Sequence, residues 1–110
     1  HSKMQFWGAE VKPNKPKVVE IPRDQTLRVT QAALGDTVSE AGGRSVLSVI
    51  SGKTKYVIAS LMPGKSEHAV MELMFEEGKI EFHASGKNAI HLAGNMLTDD
   101  VGDDDMDEEE

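Results

Sequence analysis

The chain contains no cysteine, only one tryptophan and one tyrosine, and no positive charge after Lys87. Without cysteine there is neither a disulfide framework nor thiolate chemistry. Asn14, Asn88 and Asn95 all fail the Asn-x-Ser/Thr pattern for glycosylation. No apolar run approaches the roughly 18 to 20 residues that span a bilayer, and no signal peptide is visible. We therefore expect an intracellular protein with no membrane partner.

The charge of the 110 residues is strongly asymmetric. The chain has 19 acidic and 12 basic residues, a net charge of −7. Nine of the acids stand in residues 99–110 (DDVGDDDMDEEE), so ten acids and twelve bases remain in residues 1–98, a net of +2. Such an arrangement indicates an interaction tail. The tail repels nucleic acids and anionic membranes and suits strongly basic proteins, so we expect no direct contact with nucleic acid.

The hydrophobic pattern predicts one all-β domain, a sandwich or barrel of about eight short strands and no helix. Residues 1–3 read as an expression remnant, residues 4–98 as the β domain, and residues 99–110 as a disordered acidic tail. Gly52-Lys53 separates two β-branched runs and suits a tight hairpin turn. The run 68–75 (HAVMELMF) has helical propensity, but its period-2 apolar face favours a strand. The predicted strands are 5–11, 17–21, 26–34, 45–51, 54–61, 68–75, 80–84 and 88–97.

Several predicted strands are apolar on both faces. One face of a small sandwich fills the core, and a second apolar face is typical of a subunit interface. We therefore predict a homo-oligomer. Trp7 and the methionines Met71 and Met74 are interpreted as packing residues of the core or of that interface. The two-faced runs contain Val46, Leu47, Val49, Ile50, Val57, Ile58, Val70, Met71, Leu73 and Met74.

No motif predicts an active site, a metal or a cofactor. Two Gly-Lys-Thr/Ser turns, at 52–54 and 64–66, lack the earlier glycine of a phosphate-binding loop, since Leu47 and Ala59 occupy that position. The histidines lack zinc-ligand spacing, and we interpret His83 and His91 as strand residues, with a neighbouring pair as the alternative. The tail carboxylates lack the rigid, unequal environments of a catalytic pair. We expect no enzymatic role for this domain.

Three segments carry a family resemblance. They are FWGAEVKP at 6–13, VTQAALG at 29–35, and IHLAG at 90–94 followed by the acidic run. Together they resemble the nucleoplasmin-like domain. The form most similar to them stands at the N-terminus of nuclear FKBP-class peptidyl-prolyl isomerases, and a related form begins the plant-specific histone deacetylases. The resemblance covers nearly all of residues 4–110.

The resemblance implies an eight-stranded jelly-roll-like sandwich assembled as a ring-shaped homopentamer, sometimes stacked into decamers. It implies a nuclear or nucleolar histone chaperone that binds core histones through acidic tracts, without a cofactor. The alternatives are a purely structural oligomerisation module and the N-terminal domain of a plant-type deacetylase. A separate isomerase domain would lie outside these 110 residues.

The acidic tail is the predicted histone-binding site. The loop where the family often carries a first acidic tract, residues 36–44, holds only Asp36 and Glu40 and also contains Arg44. That loop is a poor site for cations, so the C-terminal tract carries the prediction. The predicted histone-binding residues are Asp99, Asp100, Asp103, Asp104, Asp105, Asp107, Glu108, Glu109 and Glu110.

Overall fold

The computed structural model describes residues 2–35, 38–39 and 43–99, and within these ranges it contains eight β-strands and no helix. No membrane-spanning helix is therefore present in the described residues. The strands are β1 (Ser2–Val11), β2 (Lys17–Ile21), β3 (Gln25–Leu34), β4 (Ser45–Ser51), β5 (Thr54–Leu61), β6 (His68–Phe75), β7 (Gly78–Ser85) and β8 (Ile90–Asp99).

The predicted bounds of β2, β4, β5 and β6 agree with the structure, and the run 68–75 is a strand. The first and last strands differ from prediction. β1 already begins at Ser2, where Ser2 and Lys3 pair with Asp99 and Thr98 of β8. Two residues assigned to an expression remnant are thus part of the sheet. β8 starts two residues later than predicted because Asn88 belongs to the preceding turn, where its side chain is buried.

The strands form two antiparallel four-stranded sheets. The first sheet has the order β1-β8-β3-β6, and the second has the order β2-β7-β4-β5. This winding is that of a jelly-roll sandwich, in which every connection except the β4–β5 hairpin carries the chain from one sheet to the other. The edge strands are therefore β1 and β6 in the first sheet and β2 and β5 in the second.

The core lies between the sheets and follows the predicted alternation. Ile80, Phe82 and Ala84 of β7 are buried, as are Leu27 and Val29 of β3. Because successive strand residues point to opposite faces, these sets line the inner faces of both sheets.

Phe82, which is fully buried, is the aromatic centre of this core. Its ring centroid lies 6.5 Å from that of Trp7 and 6.1 Å from that of Phe75, the latter in an edge-to-face arrangement. Both distances lie in the range of favourable aromatic pairs. The interpretation of Trp7 as a packing residue is confirmed, because it joins β1 of one sheet to β7 of the other.

The glycine of the IHLAG segment has a steric role. A β-bulge shifts the register of β3 between Val29 and Gln31, opposite Gly94 of β8. A Cβ atom at position 94 would overlap the carbonyl oxygen of Arg28 and lie 2.9 Å from the Cα of Val29. The β3 backbone can approach β8 this closely only because position 94 has no side chain.

We predict that Gly94→Ala destabilises the domain by about 3 kcal/mol, the upper end of the cost of overpacking, because only backbone atoms stand in the way. Gly8→Ala is the matched control. Its Cβ would meet the Phe6 ring at 3.1 Å, and that exposed side chain can move aside. Thermal unfolding of both variants measures the difference; equal losses of stability would contradict a steric role specific to Gly94.

Candidate functional site

All the large apolar side chains that are exposed in the described residues lie on edge strands. A central strand has a neighbour on each side, whereas an edge strand has one, so its side chains and backbone lack cover on the outer side. The seven residues are Met4, Phe6, Val18, Tyr56, Val57, Val70 and Met74, on β1, β2, β5 and β6.

These residues divide into two sets on opposite edges of the sandwich, each set spread over the edge strands of both sheets. We call Met4, Phe6 and Val18 the β1–β2 patch, and Tyr56, Val57, Val70 and Met74 the β5–β6 patch. β1 and β6 are opposite edges of the first sheet, and β2 and β5 are opposite edges of the second. Each patch therefore combines one edge strand from each sheet.

The β5–β6 patch borders an apolar cleft between the two sheets. Leu73 and Phe75 of β6 and Val49 and Ile58 of the second sheet line this cleft, together with Tyr56. β5 and β6 are not hydrogen-bonded to each other, so the sandwich is open along this edge. The most exposed apolar side chains of the two patches are Val70, at 79%, and Phe6, at 78%.

Sequence reasoning found part of these patches. It identified the two-faced character of β5 and β6, including Val57, Val70 and Met74, but it did not single out Phe6 as exposed. The alternation along β1, which turns Met4 and Phe6 outward, was the sequence signal that could have indicated their exposure. It does not reveal whether a strand lies at an edge, because strand order is a property of the folded sheet.

β4 was also predicted to be apolar on both faces, but its outer face is only partly exposed. It is a central strand, and its outward residues Val46 and Ile50 are partly covered by neighbouring strands. Exposed apolar surface is therefore concentrated on the edges of the sandwich and not on the centres of its outer faces.

The histidines are not brought together. His83 lies on the outer face of the second sheet and His91 on the outer face of the first, so the alternative of a neighbouring pair is wrong. The Nε2 atom of His83 lies 3.5 Å from Glu81, and that of His91 lies 3.5 Å from Glu10. Within the described residues no three potential metal ligands cluster.

The two Gly-Lys-Thr/Ser segments are turns. Gly52 has a positive φ of 68° in the turn between β4 and β5, and Gly64 has a positive φ of 78° between β5 and β6. A strand follows each, whereas a phosphate-binding loop opens a helix. Their interpretation as turns is confirmed.

Ser39, between β3 and β4, is attached to the sandwich by Asn88. The Oδ1 atom of Asn88 accepts a 2.9 Å hydrogen bond from the Ser39 N–H, and its Nδ2 donates a 3.0 Å hydrogen bond to the Ser39 carbonyl oxygen. Asn88 is 4% exposed, so the amide satisfies both its polar atoms in a buried position. Asp36 and Glu40 lie outside the described residues.

The acidic terminus begins where β8 ends. The backbone of Asp99 pairs with Ser2 at the edge of the first sheet, which places the start of the tract at one end of the sandwich. The other eight predicted histone-binding carboxylates, at positions 100–110, lie outside the described residues, as does the predicted disorder of the tail. Their role remains a prediction.

Comparison with known proteins agrees with this architecture. The profile of the nucleoplasmin-like domain family matches residues 6–97. "FK506-binding protein 4" of Rhizopus delemar is 38% identical over 104 residues, which cover 92% of this chain and 26% of the relative. The "Peptidyl-prolyl cis-trans isomerase FKBP53" of Arabidopsis thaliana is 36% identical, over 97% of this chain and 23% of the relative. The chain thus spans about a quarter of the length of these relatives.

Plant deacetylases and solved structures are also similar. "Histone deacetylase HDT1" of Arabidopsis thaliana is 30% identical over 83% of this chain and 37% of the relative. The Drosophila NLP-core, whose structure is described as giving insight into pentamer formation and histone binding, superposes with a TM-score of 0.73 and 22% identity, over 83% of this chain and 96% of that one. The nucleoplasmin-like N-terminal domain of Drosophila FKBP39 superposes with a TM-score of 0.67 and 21% identity, over 97% and 95%.

We predict that Asn88→Ala destabilises the domain by about 1–3 kcal/mol, because it removes two hydrogen bonds to the Ser39 backbone that each contribute about 0.5–1.5 kcal/mol. Ser39→Ala is the matched control, since only the backbone of Ser39 takes part. Hydrogen exchange at the residue-39 amide should accelerate in the first variant and stay unchanged in the second. Unaltered protection in Asn88→Ala would contradict the anchoring role of Asn88.

Proposed function

The chain belongs to the nucleoplasmin-like domain family, and on this premise we propose that it is a non-enzymatic histone chaperone domain that assembles into a ring. The observation that carries the proposal is the combination of two apolar patches on opposite edges with an acidic terminus that leaves one end of the sandwich. The patches would form the contacts between subunits, and the acidic terminus would bind a basic partner.

The position of the patches favours a closed ring. An interface related by a twofold axis uses the same patch on both copies, whereas a head-to-tail interface joins two different patches and generates a ring when the rotation closes. The β1–β2 patch and the β5–β6 patch are different surfaces on opposite edges. Packing one against the other in the next copy leaves no edge uncovered. Five copies are proposed because the similar Drosophila NLP-core structure is described in terms of pentamer formation.

Histone binding is proposed to be electrostatic and to use the nine carboxylates of residues 99–110. Histone tails and their DNA-facing surfaces are dense in lysine and arginine. One exposed ion pair contributes only about 0–1 kcal/mol. Nine carboxylates per subunit, repeated around a ring, add to a useful affinity through multivalency. The affinity should fall with salt, since exposed charges are screened within about 10 Å at 0.1 M ionic strength.

We also propose a nuclear or nucleolar setting, for which the names of the relatives are the support. Two are named as FK506-binding or isomerase proteins and one as a histone deacetylase. We propose that this chain is the N-terminal part of a nuclear FKBP-class protein whose isomerase domain is separate. The N-terminal domain of a deacetylase and a purely structural oligomerisation module are the competing assignments; the structural module predicts no histone binding even at low salt.

We predict that removing residues 100–110 weakens binding of core histones by more than about tenfold, equivalent to 1.4 kcal/mol, while the oligomer keeps its size. Titration of labelled histones at low and at physiological salt measures the affinity, and native mass measures the assembly. A control variant keeps the length but replaces the eight acids of this segment with Asn and Gln, and should lose binding equally. If the truncated chain binds histones as tightly as the intact chain, the folded surface must be the site.

We predict that Met4→Asp/Phe6→Asp and Val70→Asp/Met74→Asp each give a monomer, because each places charge in one of the two patches. The matched control is Ser85→Asp, which adds a charge to an exposed residue of central strand β7 whose cross-strand partner is Val46, outside both patches, and should leave the ring intact. Native mass spectrometry or light scattering distinguishes these states.

Mixing the two double variants tests the head-to-tail geometry. Each retains the patch that the other has lost, so the mixture should form a one-to-one dimer and nothing larger, because no third copy finds an intact patch. If the two double variants remain monomers when mixed, or if one of them forms a dimer alone, pairing of opposite edges is contradicted.

A further inference from the structure

The second sheet carries a surface pocket with two lysines and a histidine, at the end where β7 finishes. We call it the cationic pocket and define it by Lys15, Lys55 and His83. It is open to solvent and has a volume of about 530 Å³. None of the described residues that line it is acidic; the others are Asn14, Val46, Ser48, Val57, Ala84 and Ser85. Positive charge is therefore concentrated in a concave part of the surface.

Strand register places the floor of the cationic pocket. His83 of β7 pairs with Ser48 of β4, and Ser48 pairs with Val57 of β5. Because residues that pair across antiparallel strands point to the same face, these three side chains form a row across the outer face of the sheet. Lys55 precedes Val57 by two residues and therefore lies on that same face. The position of the imidazole relative to Lys55 is thus set by the sheet and not by a loop.

The turn between β1 and β2 brings Lys15 to the same pocket. The Lys15 N–H donates a 3.2 Å hydrogen bond to the Lys12 carbonyl oxygen, and Asn14 between them has a positive φ of 62°. The Asn14 N–H donates a 3.4 Å hydrogen bond to the carbonyl oxygen of Ala84, the residue after His83 in β7. Since this bond joins the turn to β7, the backbone of Lys15 is fixed beside the row that contains His83.

The positive charges of the pocket lack counter-ions in the part of the chain that the structure describes. Neither Lys15 nor Lys55 forms an ion pair there. Glu81 lies 3.5 Å from the Nε2 atom of His83, but that buried atom has no hydrogen-bond partner among the described residues. A buried polar atom without a partner is uncommon in a folded protein. The pocket is therefore complementary to a ligand that brings oxygen acceptors and about two negative charges.

We propose that the cationic pocket binds a phosphate monoester, carried by a phosphorylated side chain or by a small phosphate ester. A phosphate monoester carries about −1.5 to −2 charges at pH 7, which match the two lysines, whereas a carboxylate carries only one. A monoester also projects from its parent molecule and can reach His83, whose side chain is only 29% exposed. A phosphodiester of duplex DNA has a sugar on each side and fits such a recess poorly. Every residue involved belongs to one subunit, so the inference does not rest on the proposed function.

Titration with N-acetyl-phosphoserine amide tests the site on the intact chain, at neutral pH and low salt and without histones. The backbone amide signals of Lys15, Lys55 and His83 should shift in a saturable manner, and calorimetry gives the affinity. N-acetyl-glutamate amide, which offers one carboxylate instead of the phosphate, should bind at least about fivefold more weakly, since it forms one ion pair fewer. The absence of a saturable shift, or equal shifts with the glutamate derivative, would overturn the proposal.

Charge-matched variants locate the binding. Lys15→Gln/Lys55→Gln should weaken binding of the phosphoserine derivative by about tenfold or more, because each exposed ion pair contributes up to about fivefold in affinity. Lys65→Gln/Lys79→Gln is the control, since it removes the same charge from two exposed lysines that do not line the pocket. Ser85→Asp, which adds a carboxylate to the lining, should also weaken binding. Equal losses in the two lysine variants would mean attraction by overall charge and would contradict a site.

Two further ligands identify the source of the phosphate. A Gly/Ser peptide with one phosphoserine that binds more tightly than the phosphoserine derivative assigns the pocket to a phosphorylated polypeptide, and equal affinities assign it to a small phosphate ester; both outcomes support the proposal. Duplex DNA should leave the signals of Lys55 and His83 unchanged. If DNA shifts them as strongly as phosphoserine does, the pocket serves a phosphodiester and the proposal is wrong. Histone binding is measured separately, so failure of the one does not imply failure of the other.

Discussion

A sandwich of two open sheets necessarily has uncovered edges, and this constraint organises the molecule. In the described residues Phe82 and the other core side chains lie between the sheets, so the core is complete within one subunit. The edge strands are covered on one side only, and they carry the exposed Phe6 and Val70. An exposed apolar edge strand tends to associate with another chain. Closure into a ring, as proposed, would direct that tendency to a single partner surface, whereas an unmatched edge would lead to open-ended association.

The distribution of charge complements that of apolar surface. All twelve basic residues precede Asp99, and nine of the nineteen acids follow from it onward. The folded body can therefore assemble without strong self-repulsion, because the excess negative charge belongs to residues 99–110 of the sequence. In a cyclic assembly the starts of all the acidic segments would occupy equivalent positions around the ring. A weak individual ion pair then becomes significant through repetition and tethering.

The sequence predicted the strands whose signals are local. The Gly52-Lys53 turn and the alternation of Ile80, Phe82 and Ala84 gave correct bounds or faces for β4, β5 and β7, because period 2 and turn chemistry act over a few residues. Boundaries at the ends were less predictable. Ser2 joins the sheet because Asp99 lies opposite it, and Asn88 leaves β8 because Ser39 lies beside it. Both depend on residues distant in the chain.

The sequence by itself determined the all-β class, the inward faces, the absence of cysteine chemistry and the location of the excess negative charge. These follow from residue type and short-range spacing. Only the tertiary structure decided which strands are edges, that His83 and His91 lie on opposite faces, and that Asp99 pairs with Ser2 at one end of the sandwich. Strand order in a jelly roll is set by pairing between distant segments, so the exposure of Phe6 and Val70 follows from their neighbours in space and not from their own residue type.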